Sequence, residues 1–169
     1  SELGNIIWYA GGSIDWTHLA GFHRGVDEID TGQYLPENSN QLESDFATGC
    51  CVLIRRELIE TIGFMNDSYF LYWEDVDYSL RAQKAGFKIK LEPKAVIWHK
   101  NAGSSEGAGS RLQQYYQTRN RFAIGFKYGT ARTKLSILRL AWQNLFINDI
   151  TARAVLDAFF NRMGKRPVL

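Results

Sequence analysis

The 169-residue chain is 45% hydrophobic, 14% aromatic and 22% charged, with a net charge of +2; it is long enough for one domain with a real core, and no internal repeat or low-complexity tract interrupts it. Charge is unevenly placed, residues 1–60 holding ten acidic and three basic side chains against two acidic and eight basic in 127–169, and an acidic front without a basic patch argues against nucleic-acid binding. Two adjacent cysteines, Cys50 and Cys51, supply neither a disulfide framework nor a metal-ligand spacing, and no run of 18 apolar residues occurs that would span a membrane.

Taken in chain order, strand-like runs are expected near 6–10 and 46–54, followed by helices near 55–61 and 74–85. Further strands are expected near 87–91 and 95–99, then helices near 110–127, 133–147 and 150–163. Cys50 and Cys51 fall inside the apolar run 46–54 and read as core. Residues 11–45 mix glycine with acidic and aromatic residues and read as a long irregular loop. Gly86 closes the helix that begins near Glu74. The mixture is α/β, with helices gathered toward the C-terminus.

The densest chemistry lies in Phe70-Leu71-Tyr72-Trp73-Glu74-Asp75-Val76-Asp77-Tyr78-Ser79-Leu80-Arg81, where three carboxylates fall within four residues. Carboxylates this close raise one another's pKa unless a cation, a metal or a proton-transfer role balances them. Two readings fit. Glu74 and Asp75 can simply favour the N-terminal dipole of a helix while Asp77 pairs with Arg81 at i,i+4. Alternatively the five large residues of Tyr69-Phe70-Leu71-Tyr72-Trp73 form the wall of a cleft that holds a catalytic base or a metal. Asp75-Val76-Asp77 is also an Asp-x-Asp that could bind a hard cation through oxygen, although it stands on a helix start and not at a strand end followed by a loop.

Other pieces follow in a recognisable order. They are Ala47-Thr48-Gly49-Cys50-Cys51, Ile62-Gly63-Phe64-Met65-Asn66, the aromatic–acidic segment, Ala85-Gly86-Phe87-Lys88-Ile89, Pro93-Lys94-Ala95-Val96-Ile97-Trp98-His99 and Tyr115-Tyr116-Gln117-Thr118-Arg119-Asn120, with Tyr9-Ala10-Gly11-Gly12, His23-Arg24-Gly25 and Asp30-Thr31-Gly32-Gln33-Tyr34 upstream. Nearly the whole chain resembles the C-terminal half of inverting family 2 glycosyltransferases, particularly rhamnosyltransferase-like bacterial members. The resemblance implies an α/β fold that is the C-terminal half of a GT-A domain, a mixed sheet with C-terminal helices, in which residues 1–128 carry the acceptor side and 129–169 form amphipathic helices. It implies a nucleotide-sugar donor, a saccharide acceptor and a role in polysaccharide or O-antigen synthesis. The divalent metal, Mn²⁺ or Mg²⁺, is expected to be bound mostly by an N-terminal half that this chain does not contain, so that the chain alone is expected to be inactive. A truncated relative serving as a saccharide-binding or interaction module is the alternative.

Carried over by motif, Asp75 is implied as the general base and Glu74 as its helper, with Asp77 and Arg81 a structural ion pair. Tyr72, Trp73, Gly49, Tyr116, Arg119 and Asn120 are implied to contact substrate, and residues 11–45 to meet the acceptor. Arg119 suits a departing diphosphate, since guanidinium groups neutralise such charge well, behind a Gly/Ser-rich hinge at Gly103-Ser104-Ser105-Glu106-Gly107-Ala108-Gly109. The bland reading of the same helix has packed tyrosines and wet arginines. His99 ends a strand-like run, as a hydrogen-bonded terminus or as a ligand to the metal or diphosphate.

Beyond residue 130, Leu135, Leu138, Trp142, Leu145 and Phe146 recur at helical spacing, and Val155, Leu156, Phe159 and Phe160 continue the pattern. The stripe must be covered by the domain, a second copy or an anionic bilayer; packing within the chain or self-association is the expectation over membrane contact. With no signal peptide evident, a cytoplasmic enzyme at the inner face of the plasma membrane is expected.

Overall fold

The computed structural model describes residues 5–34, 43–99 and 109–167. Among the described residues five α-helices form: α1 (Arg56–Ile62), α2 (Glu74–Lys84), α3 (Arg111–Tyr128), α4 (Ala131–Asn144) and α5 (Asp149–Phe159). The last three each start on a side-chain cap. Ser110 accepts from the Gln113 amide, Thr130 from Thr133, and Asn148 forms a reciprocal box with Thr151, each such cap being worth about 1 kcal/mol. Gly86, at φ +87°, follows α2 in a conformation that L side chains rarely adopt.

Strands are fewer than expected. The described residues hold one two-stranded sheet, β1 (Gly12–Asp15) with β2 (Ala20–His23), inside the stretch expected to be irregular. The runs near 6–10, 46–54 and 87–91 contribute only the isolated bridges Ile6–Ile29, Gly12–Phe46 and Glu43–Lys90, and 95–99 is not a strand. Alternation shows which face a strand would bury, but a ladder also needs a neighbour in register. Val52, Leu53, Val96, Ile97 and Trp98 accordingly stay exposed. Cys50 and Cys51 are exposed free thiols, contrary to their reading as core.

Two compact units divide the chain. The first comprises Ser1–Ile14, Gly21–Met65 and Asp75–Lys100; in it Leu58 of α1 packs with Tyr78 and Ala82 of α2, flanked by Ile54, Ile62, Met65 and Phe87. Polar groups tie the same helices together. Asp77 is wholly buried and pairs with Arg81 at 3.1 Å, whose remaining nitrogens donate to the Ile62 and Phe64 carbonyls at 2.8 and 2.7 Å. The pair is structural, as expected, though its carboxylate faces the interior and not solvent.

The second unit comprises Asp15–Ala20, Asn66–Glu74 and Asn101–Leu169. Here α3 packs along α5 and, over a shorter length, α4. Leu19, Phe122, Ile137, Ala141, Val155 and Ala158 form one core cluster, and Tyr115, Tyr116, Ile150 and Ala154 another. The Tyr115 hydroxyl donates to the buried Asp157 at 2.6 Å, and burial, followed by that carboxylate, pushes its pKa up to about 12. α4 buries Thr133, Ile137 and Ala141. Of the stripe expected to be covered within the chain or by a second copy, Leu145 reaches the core but Leu135, Leu138, Trp142 and Phe146 are exposed, because Ile137 and Ala141 lie on the face that meets α3 and α5. No described helix is long and apolar enough to cross a membrane.

Gly125 sets how closely these helices approach. A Cβ there would lie 2.4 Å from Ile137 Cδ1 and 2.6 Å from Leu19 Cδ2, both in wholly buried side chains. Gly125→Leu should therefore lower stability in urea denaturation by about 2 kcal/mol or more, since the overpacking outweighs the helix-propensity gain of about 1 kcal/mol. Adding Leu19→Ala should recover part of that loss if the clash is its cause.

Candidate functional site

The segment before the acidic cluster is strained. After a 3₁₀ turn at Asp67–Tyr69, capped by the Asn66 side chain, Phe70 takes φ 64° and ψ −52°. The Leu71 amide then donates to the Tyr69 carbonyl at 2.8 Å. This is the rare form of γ-turn. Tyr72 and Trp73 follow at φ 64° and 68°. Three large side chains in left-handed backbone cost about 1–3 kcal/mol each, so something else must hold the segment.

Two adjacent residues of α3 do so. Asn120 Nδ2 donates to the carbonyls of Tyr69, Leu71 and Tyr72 at 3.0, 2.8 and 2.7 Å. Arg119 donates to the Tyr69 carbonyl at 2.8 Å and to Gly164 at 2.6 Å, while Gly164 returns its own amide to Ser68 at 2.6 Å. Both side chains are wholly buried, and the guanidinium lies over the Tyr116 ring. Tyr116 is equally buried, its hydroxyl engaged with the backbone of Arg166 and its ring against Phe70.

These three residues were expected to meet substrate. They instead hold the chain together from within, for all three are closed off from solvent, and the Arg119 guanidinium faces the chain's own carbonyls where a diphosphate was expected. The tyrosines of this motif pack as the bland reading had it, but the arginine is dry. Tyr72 packs partly buried beside Tyr115 and Tyr116, and Trp73 and Glu74 are half-buried. Residues 100–108, which hold most of the expected hinge, lie outside the described residues.

Asp75 belongs to the first unit. Its Oδ2 accepts from the Gly49 amide at 2.9 Å and its Oδ1 from the amide of Val76 at 2.8 Å. Burial raises its pKa above the ordinary aspartate value, more strongly than the two amide bonds lower it. Gly49 thus acts through its backbone N–H. Its missing side chain is not what matters, since a Cβ there would meet Asp75 only at 3.8 Å, an ordinary contact.

His23 and Tyr9 are near enough to interact electrostatically with Asp75. His23 Nδ1 meets the Trp8 carbonyl at 3.1 Å, an acceptor only, so a neutral imidazole there keeps its proton on Nδ1 and a lone pair on Nε2. The rings of Trp8 and Tyr9 pack edge-on to it with centroids 4.8 and 5.1 Å away. Tyr9 and His23 stood in pieces of the family resemblance, and His23 lay in the stretch expected to meet the acceptor, but none of the three was singled out as a site residue. Nothing in the sequence fixes their spacing to Asp75.

His99 is the one residue implied as a metal ligand, since the Asp-x-Asp stands at a helix start. Asp77 is committed to Arg81, Asp75 to two amides, and His99 is exposed with its ring 4.5 Å from that of Trp8. Among the described residues no three His, Cys, Asp or Glu side chains are placed to hold a metal ion. The divalent cation was expected mostly on residues outside this chain, and no step below is routed through one.

Asn120→Ala should lower stability by roughly 2–4 kcal/mol, because the Leu71 and Tyr72 carbonyls lose this donor at a strained turn while that of Tyr69 keeps Arg119 and the Leu71 amide. Amide hydrogen exchange should accelerate first in residues 66–73. Uniform acceleration across α3 and α5 instead would show that Asn120 serves general packing and does not act on this turn.

The family model described as glycosyltransferase like family 2 matches residues 31–125. A low-salt glycan biosynthesis hexosyltransferase of Haloferax volcanii is 31% identical over 146 residues, covering 78% of this chain and 48% of that protein. A galactofuranosyltransferase of Mycolicibacterium smegmatis is 28% identical over 124 residues, covering 73% of this chain and 18% of its own length. An N-acetylglucosaminyl-diphospho-decaprenol L-rhamnosyltransferase of Mycobacterium tuberculosis is 38% identical over 58 residues, 34% of this chain and 19% of that protein. The chain thus spans about half the length of the first relative and much less of the others. No solved structure matches it. With its mixed helix and strand content and a family match across more than half its length, this chain belongs to glycosyltransferase family 2.

Proposed function

We propose that this chain carries the acceptor side and catalytic base of a sugar transferase, as the C-terminal half of a GT-A fold. The observation that carries the reading is the placement of Asp75: a half-buried carboxylate, held by two backbone amides and shifted toward stronger basicity. A saccharide hydroxyl within hydrogen-bond reach gives its proton to an Asp75 oxygen as its own oxygen attacks the anomeric carbon of a nucleotide-diphosphate sugar. The bond from that carbon to the diphosphate oxygen breaks, the diphosphate leaves with the electron pair, and configuration inverts.

The environment suits this step. A carboxylate with a raised pKa is, when ionised, a better base than an ordinary aspartate. Trp8, Tyr9 and His23 offer ring faces and edges of the kind that pack against a sugar, and Glu74 is the helper or acceptor ligand. The relatives are named for transferring hexosyl, galactofuranosyl and rhamnosyl groups, which supports a saccharide acceptor in glycan assembly; the name of the third includes a lipid-diphosphate saccharide.

Asp75→Asn in the full-length protein should reduce turnover by something on the order of 10²-fold or more, with donor affinity little changed. Activity within a few-fold of wild type would remove Asp75 from the mechanism. The rate should also fall on acidification through a pKa above that of ordinary aspartate, because the base must be ionised.

Stability should behave in the opposite sense. A folded-state pKa raised above the unfolded value means that the native state binds the proton more tightly. The folded protein therefore loses stability at this site as pH rises from the unfolded pKa through the folded one, and that cost persists above it. The stability of Asp75→Asn relative to wild type should accordingly increase as pH rises through the folded pKa. The Asn amide nitrogen cannot accept from Gly49 or Val76, which lowers stability at every pH, so a difference that does not change across that range would mean that Asp75 titrates alike folded and unfolded.

A further inference from the structure

The face that α4 turns to solvent is apolar. Leu135, Trp142 and Phe146 are 69%, 66% and 72% exposed, and Leu138 and Ile147 are exposed as well. At 3.6 residues per turn, Leu135, Leu138 and Trp142 fall within an arc of about 60°. The Trp142 ring meets Phe146 at 5.2 Å, which extends the patch past the helix end. Large side chains this exposed present on the order of 400 Å² together, at the upper limit of what a monomer leaves uncovered.

The rim of this stripe narrows the choice of occupant. Lys134 flanks one edge and Arg139 and Arg132 the other, all exposed, and no acidic residue occurs between Ala131 and Asn148. A second copy docking through the same face would set these cations against their own counterparts with no carboxylate on the helix to pair them. An acyl surface bordered by anionic headgroups satisfies both features: the leucines and aromatic rings enter the acyl boundary and the cations meet phosphates.

We propose that α4 is an interfacial helix by which this protein rests on an anionic lipid bilayer, with Leu135, Leu138, Trp142 and Phe146 inserted and Arg132, Lys134 and Arg139 at the headgroups. The assignment rests on α4 alone and does not depend on the sugar-transfer reading.

Cosedimentation of the full chain with vesicles tests it. Binding should occur with phosphatidylglycerol–phosphatidylcholine vesicles, be lost with phosphatidylcholine alone, and weaken as salt rises from about 0.1 to about 0.5 M. Trp142→Glu should abolish binding. Arg132→Glu with Arg139→Glu should weaken it about tenfold or more, whereas Leu53→Glu, at an exposed apolar site outside α4, should leave it unchanged. Circular dichroism should confirm that each variant keeps its helices, which these exposed positions favour. Two results overturn the proposal: equal binding of wild type and Trp142→Glu, or absence of lipid binding with salt-resistant self-association in sedimentation velocity that Trp142→Glu removes. The second result would make another copy the occupant.

Discussion

One pair of side chains, Arg119 and Asn120, holds together what the second unit builds. A γ-turn and two further left-handed residues in a row would not persist in an isolated peptide, because phenylalanine, tyrosine and tryptophan all avoid positive φ. Here the carbonyls of Tyr69, Leu71 and Tyr72 point to one amide nitrogen of Asn120, and Arg119 spans from Tyr69 to Gly164. The interactions are mutually dependent. A guanidinium with no exposure would be costly in an apolar core, and the carbonyls that cannot pair within a regular element supply its acceptors. Burial tends to lower the Arg119 pKa, while Tyr115, Tyr116 and Asp157 act in the opposite direction.

The same arrangement explains why the helical unit includes residues so distant in sequence. The 66–74 segment is held to α3 by hydrogen bonds, and the chain after α5 returns through Gly164 and Arg166 to meet Ser68 and Tyr116. Tyr115 adds Asp157 of α5, around which Arg153, Arg162 and Arg166 lie at 3.9, 3.7 and 3.8 Å. Buried polar networks of this kind constrain geometry more than they add to net stability. Precise placement of a loop is what such a network achieves, and the loop it places runs on covalently into Glu74 and Asp75.

What the sequence made legible followed the range of the forces involved. Helices were readable because caps such as Ser110, Thr130 and Asn148 and the apolar period act over a few residues. Strands were not, since Val52 and Leu53 or Val96 and Ile97 carry the strand composition yet pairing is decided by partners far along the chain. The Tyr115–Asn120 motif stands out in the sequence, but its role there is misread. An arginine on a tyrosine-rich face looks the same whether it awaits a diphosphate or binds backbone carbonyls, and only burial separates the two. For α4 the apolar residues were legible but which of the possible coverings they meet was not, because Ile137 with Ala141 competes with Leu135, Leu138 and Trp142 for the core and periodicity alone does not rank two apolar faces.

Asp75 and Asp77 show how environment divides identical chemistry. Two positions apart at the start of one helix, they would titrate alike in a peptide. Asp77 is wholly buried, yet its charge is matched by Arg81, which itself spans to the carbonyls after α1. Asp75 is less buried and, among the described residues, forms no ion pair like that of Asp77; two amide dipoles orient its oxygens, and burial pushes its pKa up against those bonds and the nearby His23. A general base requires this second condition, orientation without charge compensation, because a base paired with a fixed cation loses the proton affinity that proton abstraction needs. The distinction turns on where Arg81 reaches: four residues from Asp77 it lies one turn along the same helix face, whereas six residues from Asp75 it points elsewhere.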